Sequence, residues 1–231
     1  MDLPTSRRTY LATVGAIGFG GALAGCLGDD DTVLGSPEDR DAESEALSFP
    51  AHGQRLPEVT LPSPLHDREV TTTAFEGERE TLVTFVFTRC SMVCPALTGN
   101  LAQVQAHATE EGFEGEIALL PITFDPVYDT PEVLREYSEY VGADPTAENW
   151  QFLRPESEER AREVVAETFG VGFEKTDAYT PDEVSDEMEF VHTSVTILAN
   201  RDGFVERGYN PGAPSPAQVI DDLDTVREGY R

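Results

Sequence analysis

The sequence predicts an α/β fold in which a central mixed β-sheet is flanked by helices and preceded by an N-terminal hairpin. Three observations carry this. The apolar runs Leu82 to Phe87 and Ile117 to Phe124 are rich in β-branched and aromatic residues and have the length of buried strands. Between them, Leu97, Leu101, Val104 and Ala108 recur at steps of four, three and four, the apolar stripe of a helix lying on a sheet. Near the C-terminus, Val191 to Ala199 and Phe204 to Arg207 flank Arg201-Asp202-Gly203, the pattern of two antiparallel strands closed by a tight turn.

The elements follow in order. Ser6-Arg7-Arg8-Thr9-Tyr10-Leu11 resembles a twin-arginine export signature, and Leu23-Ala24-Gly25-Cys26 at the end of the next apolar stretch resembles a lipobox. That stretch is interrupted by Gly15, Gly18, Gly20, Gly21 and Gly25 and falls short of the roughly 20 apolar residues a membrane helix needs. Residues 1–25 are therefore expected to be a cleaved signal peptide, with Cys26 the lipid-bearing first residue of the mature protein. An uncleaved anchor would leave the folded part on the same, extracytoplasmic side. Residues 26–51, dominated by Asp, Glu, Ser and Gly, are expected to be a solvated tether that lets the domain reach a neighbour in the same membrane. Residues 52–231 have the size of one domain.

Within it, Glu58 to Leu61 and Glu69 to Thr72 read as the hairpin, and Leu82 to Phe87 as the first central strand. Pro95 disfavours helical backbone at the residue before it and is well tolerated at a helix start, so Cys94 is expected to be the N-cap of the next helix. After the strand Ile117 to Phe124 and the turn at Asp125-Pro126, Thr130 and Pro131 read as N-cap and first residue of a helix reaching about Val141. A helix over 156–169, an irregular acidic stretch from Lys175 to Glu189, the strand pair and a final helix over 216–228 complete the chain. This is the thioredoxin-like order of elements.

Composition excludes one class of partner. The formal net charge is -28, from 44 acidic against 16 basic residues, and Lys175 is the sole lysine. A surface of this kind repels phosphate backbones, so no nucleic acid is expected. It resembles the surfaces of proteins from salt-loving archaea. At molar salt the screening length falls to about 3 Å, which suppresses the self-repulsion of so many carboxylates. The melting temperature is accordingly expected to fall when molar salt is diluted to millimolar buffer; an unchanged value would show that the surface is not salt-adapted.

The chemistry is carried by Cys90 and Cys94 in Thr88-Arg89-Cys90-Ser91-Met92-Val93-Cys94-Pro95, between a strand and a helix start. Two thiols there suit copper(I), zinc or disulfide chemistry, and the helix dipole together with Arg89 is expected to favour thiolate. Inert buried cysteines or a structural disulfide are the plainer alternatives. No second pair completes a four-ligand zinc site, which argues against structural zinc. Cys26, if lipidated, does not count toward this chemistry. Asp125 could orient a metal-binding imidazole or contact a partner, while Asp125 and Asp129 could equally just organise the turn up to Pro131. Met92 reads as loop filler, and His52, His66 and His107 have no site-like setting; His107 is expected on a solvated helix face.

Taken together, Cys90 to Pro95, Thr123-Phe124-Asp125-Pro126-Val127-Tyr128-Asp129-Thr130-Pro131-Glu132 and Phe190-Val191-His192-Thr193-Ser194-Val195-Thr196-Ile197-Leu198 resemble the Sco/SenC family of copper-binding assembly factors, over about Leu56 to Tyr230. The resemblance implies a thioredoxin-like fold and copper, as Cu(I) or Cu(II), held by Cys90, Cys94 and His192. It further implies delivery to, or thiol maintenance of, the dinuclear copper centre in the copper-bearing subunit II of cytochrome c oxidase, with no enzymatic role required. The rival reading is a thiol-disulfide oxidoreductase, thiol peroxidase or redox sensor using the same cysteines with a thiol reductant. Val191 stands where ordinary thioredoxins place a cis-proline, which argues against general disulfide exchange.

Overall fold

The computed structural model describes residues 31–37, 44–175, 190–210 and 212–231. The expected signal peptide, Cys26 and the whole acidic stretch after Lys175, residues 176–189, lie outside the described residues. None of the helices among them is long and apolar enough to cross a membrane.

A hairpin comes first, β1 (Thr60–Ser63) pairing antiparallel with β2 (Arg68–Thr71). Its turn passes through Asp67 at φ 51°, a left-handed position that Asp tolerates better than most residues. The central sheet is built from β3 (Glu80–Val86), β4 (Ile117–Thr123), β7 (Thr196–Ala199) and β8 (Val205–Tyr209) in the order β4-β3-β7-β8. β3 and β4 are parallel and the other pairs antiparallel, so the sheet is mixed as expected. Every residue of β3 and β4 is buried, which is why they read as mostly apolar runs without polar alternation.

Alternation sends Val83, Phe85, Leu120 and Ile122 to one face and Leu82, Ile117, Leu119 and Leu198 to the other. The second face is covered by α1 (Cys94–Glu111) and α4 (Pro216–Gly229) through Leu101, Val104, Val219, Leu223 and Val226. Over the first lie α2 (Pro131–Tyr140), α3 (Glu158–Ala161) and the hairpin, through Leu134, Ala161, Leu61 and Val70. α2 starts as the sequence predicts: the Thr130 hydroxyl caps the Val133 N–H at 3.4 Å, with Pro131 in the first turn.

Several expectations are corrected. α1 begins one residue early, with Val93 as N-cap and Cys94 already helical. The helix expected over 156–169 is α-helical only to Ala161; residues 162–168 widen into a π-helical turn, Phe169 N–H reaching the Val164 carbonyl at 2.9 Å. The strand expected over Val191 to Ala199 is two strands in two sheets. β6 (Phe190–His192) pairs antiparallel with β5 (Phe173–Lys175), and the chain crosses at 193–195 to β7. The crossing residues are held individually, Val195 O by the Thr84 hydroxyl at 3.0 Å and Ser194 O by the Asn210 amide at 2.6 Å.

Trp150 to Leu153, which the sequence reading left without a strand, runs parallel along the free edge of β4 through Gln151 N–H to Leu119 O at 2.9 Å and Leu153 N–H to Pro121 O at 2.8 Å. His107 is not on a solvated face, because it pairs with Asp224 at 2.9 Å and pins α1 to α4. Nor are all of residues 26–51 solvated: Leu34, Phe49 and Ala51 are buried, and 31–37 is hydrogen-bonded to the domain. Short apolar islands in an acidic segment are enough to dock it.

At the start of β3, the foot of the sheet, Glu80 is fully buried and accepts two bonds from the Arg201 guanidinium, at 2.9 and 2.7 Å. Arg201 also faces Glu116 at 3.7 Å, which in turn pairs with Arg227 at 3.0 Å. Burial pushes the Glu80 carboxyl above its ordinary range despite Arg201.

Candidate metal centre

The cysteine loop is the connection from β3 to α1. Cys90 closes a turn with its N–H on the Phe87 carbonyl at 3.2 Å, and the Thr98 hydroxyl bonds Cys94 O at 3.0 Å inside the first turns of α1. Both cysteines are free thiols and buried, Cys90 at 6% exposure and Cys94 at 0%. The two side chains are hydrogen-bonded to each other, and this bond, then burial, pushes the Cys94 thiol well above its usual range.

That reverses the expectation of a favoured thiolate. Arg89, counted on for positive charge, gives it to Asp125 at 2.6 Å and lays its guanidinium over the Tyr128 ring at 4.4 Å. With that charge met, the fully buried Cys94 sulfur holds its proton.

The loop after β4 is the second wall. Asp125 N–H bonds the Thr123 hydroxyl at 3.0 Å, and Asp129 N–H closes on Asp125 O at 3.0 Å. The buried Asp129 carboxylate accepts the hydroxyls of Thr88 and Thr123 and the Thr88 N–H at 3.3 Å. Burial, outweighing these bonds, pushes its pKa up to about 6. Arg154 clamps the loop from below by donating to Asp129 O at 2.9 Å and Pro126 O at 2.6 Å. The backbones of Asp125 and Asp129 close this turn while Thr130 caps the helix, and the two carboxylates reach the cysteine loop, Asp125 through Arg89 and Asp129 through Thr88.

The structure describes His192 by its backbone. In the β5–β6 register His192 stands opposite Phe173, whose ring stacks on Phe124 at 4.8 Å, which meets Phe87 at 5.3 Å. This aromatic column links the His192 strand to the end of β3, where the cysteine loop starts. Among the described residues no group of three or more His, Cys, Asp or Glu side chains could hold a metal ion. Met92 is 66% exposed, in keeping with loop filler. His52 and His66 bond the carbonyls of Leu34 and Trp150, both at 2.7 Å, and serve the scaffold.

Sequence reasoning missed Tyr137. It is buried beside the sulfurs, its hydroxyl 3.5 Å from that of Thr98, and burial pushes its phenol pKa upward. It also missed the rim. A groove of about 380 Å³ beside the loop is lined by Thr88, Arg89, Tyr128, Val133, Tyr137 and Tyr140, among others, and Met92, Val127, Tyr128 and Tyr140 are exposed around it. In so acidic a chain, exposed aromatics next to the cysteines were the available signal.

The yeast Sco1 structure with copper bound is similar to this chain at 18% identity and a TM-score of 0.60, covering 77% of this chain and 91% of that one. BsSco, a member of the Sco family of cytochrome c oxidase assembly proteins in which a disulfide switch was identified, is similar at 23% identity and a TM-score of 0.56, covering 77% and 95%. These two likenesses carry the thioredoxin-like fold. A SCO1 protein homolog of Bacillus subtilis (strain 168) is 24% identical over 146 residues, 63% of this chain and 69% of that one. The SCO1/SenC family model matches residues 65–228, a span holding the cysteine loop, both aspartates and His192, and by that match the chain belongs to the SCO1/SenC family.

Proposed function

We propose that this protein is a copper-binding assembly factor, lipid-anchored through Cys26 to the outer face of the cell membrane. It holds copper with Cys90, Cys94 and His192 and hands it to the copper-bearing subunit II of cytochrome c oxidase. One observation carries the reading: two adjacent, buried, free thiols at the start of α1 in a chain of the SCO1/SenC family. Support comes from yeast Sco1, which is seen with copper bound, and from BsSco, which belongs to oxidase assembly proteins. Two thiolates and one imidazole are soft enough for Cu(I), and an open three-ligand site releases its cargo more readily than a closed one. Because the Cys94 thiol holds its proton in the absence of metal, copper uptake expels a proton and strengthens as pH rises.

A thiol-disulfide exchange reading draws on the same hydrogen-bonded sulfur pair and on the disulfide switch of BsSco. The two separate at His192, which copper requires and disulfide exchange does not. In high salt, the reduced protein is expected to bind one copper per chain. Cys90→Ser, Cys94→Ser and His192→Ala should each weaken it by about tenfold or more, at least the loss seen when groups supporting a ligand are removed. Binding indifferent to His192→Ala, in a protein that reduces disulfides, would transfer the site to the oxidoreductase reading.

A further inference from the structure

Residues 31–37 are bound at one end of the sheet, and that end is opposite the cysteines. Glu206, in β8 and fully buried, accepts the Val33 N–H at 2.9 and 3.1 Å, the Leu34 N–H at 2.8 Å and the Asn200 amide at 2.6 Å. Asn200 also donates to Asp31 O at 2.9 Å, Arg207 donates to Gly35 O at 2.8 Å, and His52 Nε2 lies 2.7 Å from Leu34 O. Leu34 is buried in the cluster that holds Leu223 and Val226 of α4. At the end of α4, Gly229 makes room for the segment: a Cβ there would lie 2.7 Å from Val33 Cγ2. A buried carboxylate receiving two consecutive backbone amides is a built receptor for this segment.

Register fixes where the receptor sits. Thr81 of β3 is opposite Ala199 and Ala199 opposite Val205, so Asn200 and Glu206 lie level with the first residues of β3. The cysteine loop follows Val86 at the other end of that strand, about 20 Å away for the six steps from Glu80 at ~3.3 Å each.

We infer that residues 31–37 are a strap that fixes the orientation of the domain, sheet foot toward the membrane and cysteine loop away from it, so that cargo changes hands at a set height. The inference rests on the anchor reading given above. Five steps of chain separate Cys26 from Asp31 and span at most about 18 Å, whereas a free tether running to Ala51 would span up to about 90 Å. The cysteine pair is thereby held within about 20 to 40 Å of the bilayer surface. The partner this fits is a membrane protein whose receiving site stands at that height, facing down onto the exposed Val127, Tyr128 and Tyr140.

The test uses the membrane-extracted full chain, reconstituted in phosphatidylglycerol vesicles carrying a dansyl lipid. Trp150 is the single tryptophan and pairs with Leu119, near the strapped end, so its energy transfer to the bilayer reads the height of the foot. The double variant Leu34→Ser/Glu206→Ala should keep its fold by circular dichroism and lose at least half of that transfer. In the parent, the Val33 and Leu34 amides should exchange with solvent at least tenfold more slowly than in the variant. Equal transfer from two vesicle-bound proteins, or unprotected amides in the parent, overturns the strap. A parent that does not attach to vesicles defeats the anchor and the fixed height with it, while the exchange experiment still decides whether the strap is docked.

Discussion

Replacing Arg201 with alanine is expected to destabilise the fold by about 3 to 5 kcal/mol near neutral pH, the usual cost of removing one partner from a buried ion pair. Glu80 has no exposed surface, and both bonds to its Oε1 come from Arg201; its other oxygen has no partner among the described residues. The carboxyl can escape by keeping a proton, and this sets the pH dependence. A carboxyl whose folded pKa lies above its unfolded one makes the folded state the better proton binder, so stability is lost as pH rises through the folded value. Burial already raises Glu80 and Arg201 opposes that rise, so the variant pushes the folded value higher still. The deficit of Arg201→Ala should therefore be small near pH 4 and grow toward pH 7. Adding Glu80→Gln should recover most of it, since a neutral amide costs far less to bury than an unpaired charge. Denaturant unfolding at fixed high salt measures all three proteins. A loss independent of pH would mean that Arg201 acts through packing, for instance over the Tyr230 ring at 5.2 Å.

The layers of the fold were legible because two strong periodicities coincide with two strong punctuation signals. β3 and β4 announce themselves as mostly apolar runs without polar alternation, and α2 by Thr130 followed by Pro131. What was not legible involves partners distant in sequence. Nothing local marks Trp150 to Leu153 as strand-like, because its bonds go to β4, some thirty residues earlier in the chain. β6 and β7 read as one strand because both are extended, and only pairing separates them. The site shows the same division. Cys90 and Cys94 are identified by their spacing and position, whereas the fate of the Arg89 charge depends on Asp125, brought up by another loop. The strap was hidden by composition: in a stretch that is nearly all acidic and small, Leu34 and Phe49 were outvoted, although burial of two such side chains against a prepared surface is enough to dock it.

Asp129→Asn is expected to reverse part of the pH profile and to change the thiols at the same time. The carboxyl moves from an ordinary 3.8 to about 6 on folding, so below about pH 4 the proton is bound in both states, and between there and pH 6 only the folded state keeps it. Stability tied to this proton is present at low pH and lost as pH rises through the folded value, by about 3 kcal/mol in all. Asparagine carries no such proton. The difference in unfolding free energy between variant and parent should therefore shift by about 3 kcal/mol in the variant's favour from pH 3.5 to pH 7.5, whatever offset the altered bonding to Thr88 and Thr123 imposes. A flat difference would mean that water reaches Asp129 and holds its pKa near the ordinary value. The second consequence lies at the site. The negative charge of Asp129 is among the influences holding the Cys94 thiol protonated, after the bond to Cys90, burial and the charge of Cys90. Removing it should shift alkylation of the cysteine pair to lower pH, while the buried Cys90–Cys94 hydrogen bond keeps the shift small. A scaffold role alone would move the unfolding curve and leave the alkylation profile in place, so the two readouts together separate support of the loop from control of its protons.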